Sequence, residues 1–257
     1  MLPWRLFKKA YIMKKEWFAS WFDSPYYYIL YKNHDENEAR NTLDRILRAM
    51  ELKPGARVLD LACGKGRHSK YLAEQGYDVT GIDISHSSIE YARQFEHDHL
   101  NFYQHDMRLP FRINYYDAVL NMFTSFGYFH SDHDHLRTLV NVAKELNRDG
   151  LFLLDFFNTE WVRQHLIPVD TKTVDGIDFH LKKSIKGGYV YKSVAFHAEG
   201  KDFHFREKVR LFEYADFERL FAQAGLQIVQ TFGSYQLETF DVATSPRLIL
   251  IARKQPI

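Results

Sequence analysis

Apolar positions along the chain fall into two textures. Between Val58 and Phe157, short apolar runs alternate with stretches of helical period. From about Thr171 to Phe212, polar and apolar residues alternate singly. Ahead of the first texture, Ala39, Leu43, Ile46, Leu47 and Met50 recur at helical spacing, which predicts a helix from Asp35 to Leu52, and Pro54-Gly55 marks a turn. "RVLDLA" then reads as a buried strand and "RHSKYLAEQ" as a helix closed by Gly76. "DVTGIDI" is a second strand. Ser87 and Glu90 form a capping-box pattern that predicts a helix running to about Glu96. "LNFYQHD" and "YDAVLNMF" are strands, a helix follows from about Asp132 to Leu146, and "LFLLDFF" is a fifth strand. Such alternation predicts parallel strands joined by crossover helices on both faces. Strands covered on both sides need not alternate, which accounts for the continuous run in "LFLLDFF".

The second texture carries turn signals at Asp175-Gly176, Gly187-Gly188 and Glu199-Gly200, so it predicts an antiparallel meander with one solvated face. A helix from about Tyr214 to Ala224, stopped by Gly225, leads back to the first sheet, where "LQIVQTF" and "RLILIAR" supply two more strands. The segment between them, "GSYQLETFDVATSP", has no helical period, so they are expected to pair antiparallel through a long loop. The fold class is therefore α/β: a doubly wound, seven-stranded, mostly parallel sheet with an antiparallel last strand, plus an inserted antiparallel β-meander.

Composition narrows the setting. The 257 residues carry 34 Lys and Arg against 33 Asp and Glu, a balance that does not predict a nucleic-acid partner. A single cysteine, Cys63, rules out an internal disulfide and fits a reducing, cytoplasmic compartment. No apolar run approaches the ~18 residues of a membrane span. The N-terminal stretch "MLPWRLFKKAYIMKKEWF" is basic and aromatic and lacks a signal peptide's apolar core. It reads as a helix packed on the domain or lying on a membrane surface, and Met13 is an alternative start.

Candidate chemistry gathers at strand ends. Gly64 and Gly66 turn a strand tightly into a helix, and bare N–H groups at such a turn favour negative groups. A dinucleotide fingerprint would place glycine at position 69, where this chain has Ser69. Asp83, followed by Ile84, ends the second strand, where a carboxylate can accept from both hydroxyls of a ribose or cap the next helix. Asp106 follows the third strand and is suited to an exocyclic amine. Met107 beside it offers a backbone N–H for a ring nitrogen and a side chain for a ring face.

Together "VLDLACGKG" with Asp60 leading to Gly66, the acidic strand end at Asp83, the acid at Asp106 and the strand-four end "YDAVLNMFTSFGYF" resemble the class I S-adenosylmethionine-dependent methyltransferases. The resemblance covers roughly Lys53 to Phe157 and implies a Rossmann-like core. It implies an S-adenosyl-L-methionine cofactor whose methionine end lies on the loop Ala62, Cys63, Gly64 to Gly66, with Asp60 bracing that loop and favouring the ammonium. Asp83 would hold the ribose, Asp106 the adenine, and Asn121, Met122 and Phe123 would flank the methyl group. Ala62 departs from the pattern, since many relatives carry glycine there. "WFDSPYYYILYKNHDENEAR" resembles the helical lid of small-molecule methyltransferases, which puts Tyr28 and Tyr31 over the cofactor or in ordinary aromatic packing. The implied division is a lid over 1–52, a cofactor-binding core over 53–165, an acceptor-side insertion over 166–212 and the rest of the core over 213–257.

On that reading a small molecule is the acceptor, and the insertion's aromatics Phe179, Tyr189, Tyr191, Phe196, Phe203 and Phe205 are candidates for its wall. Strict alternation lets only some of them face it. A general base is optional for methyl transfer; Tyr128, His130 and His197 are the candidates, each with a core or surface role as the plainer account. "HSDHDH" has metal-like density but sits where a helix begins, with Ser131 or Asp132 as cap, and no metal is expected. Nothing in the spacing equips Cys63 as a nucleophile. The meander holds nine Lys or Arg against five Asp or Glu over 171–212, which can draw an anionic substrate or simply solvate a sheet face. The rivals are a nicotinamide-dependent oxidoreductase on a similar sheet and a module that binds the cofactor without transfer. A dimerising surface on the meander is a third open point.

Overall fold

A computed structural model describes residues 16–32 and 36–255, apart from the side chains of residues 36–39. The N-terminal helix expected before residue 16 and the alternative start at Met13 lie outside these residues.

Two short helices, α1 (Trp17–Trp21) and α2 (Pro25–Leu30), precede a long one, α3 (Glu36–Met50). Ser24 caps α2 by accepting from the Tyr26 N–H, and Pro25 opens it. Strands β1 (Arg57–Leu61), β2 (Asp78–Asp83), β3 (Leu100–Gln104), β4 (Tyr116–Asn121) and β5 (Leu146–Phe157) alternate with α4 (Arg67–Glu74), α5 (His86–Ala92) and α6 (Asp132–Glu145). After α7 (Thr159–His165) come the meander strands β6 (Val169–Val174), β7 (Ile177–Lys186), β8 (Tyr189–Ala198) and β9 (Lys201–Arg210). Helix α8 (Tyr214–Ala224) and strands β10 (Leu226–Phe232) and β11 (Arg247–Lys254) complete the chain.

The seven-stranded sheet has the order β10-β11-β5-β4-β1-β2-β3. Its strands run parallel except β11, which is antiparallel to both β5 and β10. Strand order reverses between β1 and β4, and in open α/β sheets ligands bind outside the carboxyl ends at such a point. One face of the sheet packs on α6 and α8 through Leu139, Val142, Phe217 and Phe221, all nearly inaccessible. The other packs on α3, α4 and α5 through Leu43, Ile46, Leu72 and Ile89. The meander is a separate four-stranded sheet, β6-β7-β8-β9, turning at the three predicted glycine pairs. Its inner face forms a third core with α1 and α2, around Trp21, Tyr26, Phe179 and Phe196.

Three expectations need correction. Helix α5 is capped by Ser85, whose Oγ accepts from the Ser88 N–H at 3.2 Å, rather than by Ser87. The strand stops at Asp83, so the first extended residue able to cap is Ser85, while Ser87 Oγ turns to the Asp23 carbonyl. Helix α7, capped by Asn158, had no sequence prediction; at seven residues it is too short to show a period. The insertion's aromatics do not line the cavity described below. Phe179, Phe196, Phe203 and Phe205 belong to the third core beneath the lid helices, and Tyr189 and Tyr191 alternate to the opposite side of β8.

Candidate active site

A cavity of about 1250 Å³ opens at the carboxyl ends of β1, β2, β3 and β4, roofed by α1 and α2 and closed on the far side by α7 and the meander. Its volume exceeds the ~300–1,000 Å³ typical of a site for one small ligand, so it has room for two. The strand ends that reach it carry unusual backbone. Ala62 after β1 has φ 65°, and Phe123 and Thr124 after β4 have φ 56° and 60°. Left-handed conformation in non-glycine residues persists only where the surroundings fix it, and it clusters at functional sites.

The glycine loop is built by packing. Gly66 has φ +76°, and a Cβ there would stand 2.5 Å from the Phe102 ring, so only glycine lets α4 start against β3. Gly64, also left-handed, faces the cavity with the Tyr28 hydroxyl 3.6 Å from where its Cβ would be. The Gly64 N–H donates to Asp83 Oδ2 at 2.9 Å, and the Ser85 N–H donates to Oδ1 at 2.7 Å. Asp83 thereby ties the β1 loop to the β2 end; burial pushes its carboxyl up. Asp60, at 2% exposure, accepts from Ser69 Oγ at 2.6 Å. Serine at position 69 is thus the brace of an acid rather than a lost glycine. Burial, with the charge of Asp83 adding to it, pushes Asp60 up to about 6. Both acids line the cavity, and their partners are N–H and O–H groups rather than cations.

Asp106 and Met107 line the same end of the cavity. Asp106 differs from the expectation of an open acceptor. Arg108 Nε lies 3.1 Å from each of its oxygens, Arg108 Nη2 2.7 Å from Oδ2, and the Arg108 N–H 2.9 Å from Oδ1. Burial opposes ionisation of Asp106, but the Arg108 bonds win and hold the carboxyl below its usual range. Arg108 also reaches Glu16 at 3.3 Å, just ahead of α1, which fastens the lid to this corner.

At the β4 end the expected residues separate. Met122 and Phe123 line the cavity, and Phe123 stacks on His68 with ring centroids 5.0 Å apart. Asn121 is fully buried and not in the lining; its Nδ2 donates to the Leu61 carbonyl at 2.9 Å, joining β4 to β1. Gly66 is likewise turned away from the lining, while Ala62, Cys63, Gly64 and Ile84 are in it. Cys63 is buried, and burial raises its thiol well above the ordinary value, which suits packing rather than nucleophilic chemistry.

Sequence reasoning missed the support of the β4 loop. Asp155 on β5, at 0% exposure, accepts from the Phe123 N–H at 2.8 Å, the Tyr235 hydroxyl at 3.0 Å and Arg247 Nη2 at 2.6 Å. Arg247 also donates to Thr124 Oγ1 at 3.0 Å. The signal was an acid inside "LFLLDFF", since a buried charge demands partners.

Tyr28 and Tyr31 both line the cavity but at different places. Tyr28 lies over the glycine loop, with its hydroxyl 2.5 Å from Ser88 Oγ and Lys65 Nζ 3.9 Å from its ring. Tyr31 faces the meander, donating to Glu207 Oε1 at 3.2 Å. Of the three base candidates, Tyr128 donates its proton to the Thr124 carbonyl, and burial raises its hydroxyl well above the ordinary value. His130 is turned to Glu16 at 3.0 Å and His197 to Asp202 at 2.8 Å, and neither lines the cavity. In "HSDHDH", Ser131 caps α6 and His135 is buried against Phe126, Phe129 and Phe212. Among the described residues no cluster of His, Cys, Asp and Glu is placed to hold a metal ion.

Comparison with known proteins agrees with this geometry. Residues 58–150 match the family described as a methyltransferase domain. An uncharacterized methyltransferase of Schizosaccharomyces pombe is 34% identical over 107 residues, 40% of this chain and 72% of that protein. A dTDP-3-amino-3,4,6-trideoxy-alpha-D-glucopyranose N,N-dimethyltransferase of Streptomyces venezuelae is 27% identical over 66% of this chain and 75% of its own length. A crystal structure of an S-adenosylmethionine-dependent methyltransferase from Clostridium acetobutylicum superposes with a TM-score of 0.77 at 17% identity, covering 90% of this chain and 96% of that one. The chain belongs to the class I S-adenosylmethionine-dependent methyltransferases. That assignment sets aside the oxidoreductase reading, as Ser69 had already argued.

The residues present fit the family's donor. It carries a sulfonium and an ammonium, and the rim offers two desolvated carboxylates, Asp60 and Asp83, that no cation among the described residues neutralises by direct contact. The turn from Ala62 to Gly64 lines the cavity, with its Cys63 and Gly64 N–H groups taken by the Ile82 carbonyl and Asp83 rather than bare as the sequence suggested.

Proposed function

We propose that this chain is a cytoplasmic methyltransferase acting on a small-molecule acceptor, with the donor along the strand ends and the acceptor between the lid and the meander. The implied division into lid, core, insertion and returning core serves those two places. Bound S-adenosyl-L-methionine supplies an electrophilic methyl carbon with a neutral leaving group.

The chain's own residues do the rest by positioning. The loop Ala62 to Gly64 receives the methionine end, with Asp60 beneath it favouring a positive charge. Asp83, already pinned by two backbone N–H groups, keeps acceptor capacity for ribose hydroxyls. Met107, with Asp106 set by Arg108, borders the adenine. Phe123 and His68 form a flat apolar surface beside the methyl group; burial, with Arg67 adding to it, drives His68 down to about 3 and keeps it neutral. Tyr28 and Tyr128 exclude water. Holding nucleophile, methyl carbon and sulfur in line can contribute ~7–11 kcal/mol. No residue is assigned as base, because a base is needed only where the accepting atom carries a proton that it must lose.

The observation that carries this reading is the pair Asp60 and Asp83 facing one cavity large enough for two ligands. The dimethyltransferase relative acts on a nucleotide-linked amino sugar, which supports a small acceptor. Even charge supports the absence of a nucleic-acid partner, and the unpaired buried Cys63 supports a reducing compartment. Among the described residues no helix is long and apolar enough to cross a membrane. Titration calorimetry with S-adenosylhomocysteine and with NAD tests the donor site, and radiolabelled methyl transfer over a metabolite panel tests the acceptor class. Binding of NAD in place of S-adenosylhomocysteine would refute the reading. Light scattering decides self-association.

A further inference from the structure

Where β7, β8 and β9 cross the middle of the meander, its inner face carries apolar rows on either side of one charged row. Register pairs Leu181 with Val194 and Val194 with Phe205, a row sealed under the lid, with Val194 at 0% exposure. Two residues along, Ile185 pairs with Val190 and Val190 with Val209. Between these rows Lys183 pairs with Lys192, and Lys192 with Glu207. Three charged side chains thus stand side by side between two apolar rows, and all three line the cavity.

The row is not balanced. Glu207 Oε1 receives Trp21 Nε1 at 2.8 Å, the Tyr31 hydroxyl at 3.2 Å and Lys192 Nζ at 3.2 Å, so its charge is spent on its neighbours. Lys192, only 14% exposed in its side chain, also donates to the Tyr31 hydroxyl. Lys183 has neither a carboxylate nor an aromatic ring within contact among the described residues. The other basic side chains of the lining do: Lys32 has Asp175, Arg40 has Glu74, Lys65 has Tyr28, Arg67 has Phe123, Lys70 has Phe95 and Arg247 has Asp155. Like charges directly opposite across strands are unfavourable, so Lys183 beside Lys192 costs stability unless an anion lies between them.

We infer that this row is an anion subsite: the methyl acceptor carries a carboxylate or phosphate that lodges between Lys183 and Lys192, with its apolar body along Val190, Val209 and Trp161. The inference rests on the acceptor lying on the meander side, as proposed above. Glu207 is a positioning residue that holds Lys192 upright through Oε1.

Calorimetry on the full chain tests this with benzoate, phenyl phosphate and neutral benzamide as probes, each with and without saturating S-adenosylhomocysteine. Either anion, or both, is expected to bind at least tenfold more tightly than benzamide, and the stronger of the two names the acceptor's group. Lys183→Met is expected to weaken the anion tenfold or more and leave benzamide unchanged, while Lys183→Arg stays within about threefold of wild type. Lys183 is only half-buried, and thermal melting of each variant checks the fold. Equal binding of benzamide and both anions, or anion binding indifferent to Lys183→Met, would overturn the inference. So would displacement of the anion by S-adenosylhomocysteine, which would place it in the donor half. Titration with S-adenosylhomocysteine alone reads the donor site, and the anion titrations made without it decide this subsite separately.

Discussion

Along the parallel-sheet rim, the acids facing the cavity are set by local bonds: Asp60, one residue before the end of β1, accepts from Ser69 Oγ, and the Gly64 and Ser85 N–H groups fix Asp83 at the end of β2. Across the cavity, on the meander, Lys183, Lys192 and Glu207 are aligned by register on a regular sheet, with Glu207 and Lys192 further held by Trp21 and Tyr31 of the lid. The rim acids sit beside left-handed turns at Ala62, Phe123 and Thr124, whereas the meander row can change residue by residue while its strands stay paired. A family that keeps one donor and varies its acceptors needs this division of labour.

The comparison breaks most visibly at Arg247. Arg247→Ala leaves Asp155 buried without its cation, which costs about 3–5 kcal/mol. Urea unfolding is expected to show that loss, and the β4 loop that Asp155 holds is expected to lose donor binding with it. Next, Asp83→Ala is expected to weaken S-adenosylhomocysteine by roughly tenfold or more, about 1.4 kcal/mol or above, with an unchanged melting profile. Calorimetry checks it, and wild-type affinity in that variant would count heavily against the rim as the donor site.

A pH series sharpens the picture further. Asp60 is pushed up to about 6, so it is ionised above that value and protonated below it. Affinity for the cationic donor is expected to fall as pH drops through about 6, by no more than about tenfold per pH unit, and Asp60→Asn should flatten the profile. The same raised value means that the acid's contribution to folding runs the other way. It is full below the unfolded value of about 3.9 and is lost as pH rises through about 6. The smallest effect is expected at Lys32→Ala, which removes the exposed ion pair to Asp175 at 3.0 Å between the lid and the meander. Such pairs are worth below about 1 kcal/mol, so the melting temperature should barely move.

Elements whose cause is local were readable from the sequence. The turns at Asp175-Gly176 and Glu199-Gly200, the α8 stop at Gly225 and the antiparallel pairing of β10 with β11 follow from nearby residues and appear as expected. Asp83 and Gly64 were placed together because strand ends and the turn between β1 and α4 share one edge. What escaped depends on residues far apart in sequence. Arg108 bonding Asp106 is close in sequence, yet its burial is decided by Glu16 on the lid. Asp155 meets Arg247 across 92 positions. The charged row on the meander needed register across three strands, and counting aromatics in the insertion pointed at the wrong side chains, because bulky rings went to the lid contact where most area could be buried.

Arg108 is one cation shared between two acids, Asp106 after β3 and Glu16 just ahead of α1. A bond between Asp106 and the lid therefore runs through a single side chain, so whatever changes the hold of Asp106 on that guanidinium is felt at the first residue ahead of α1.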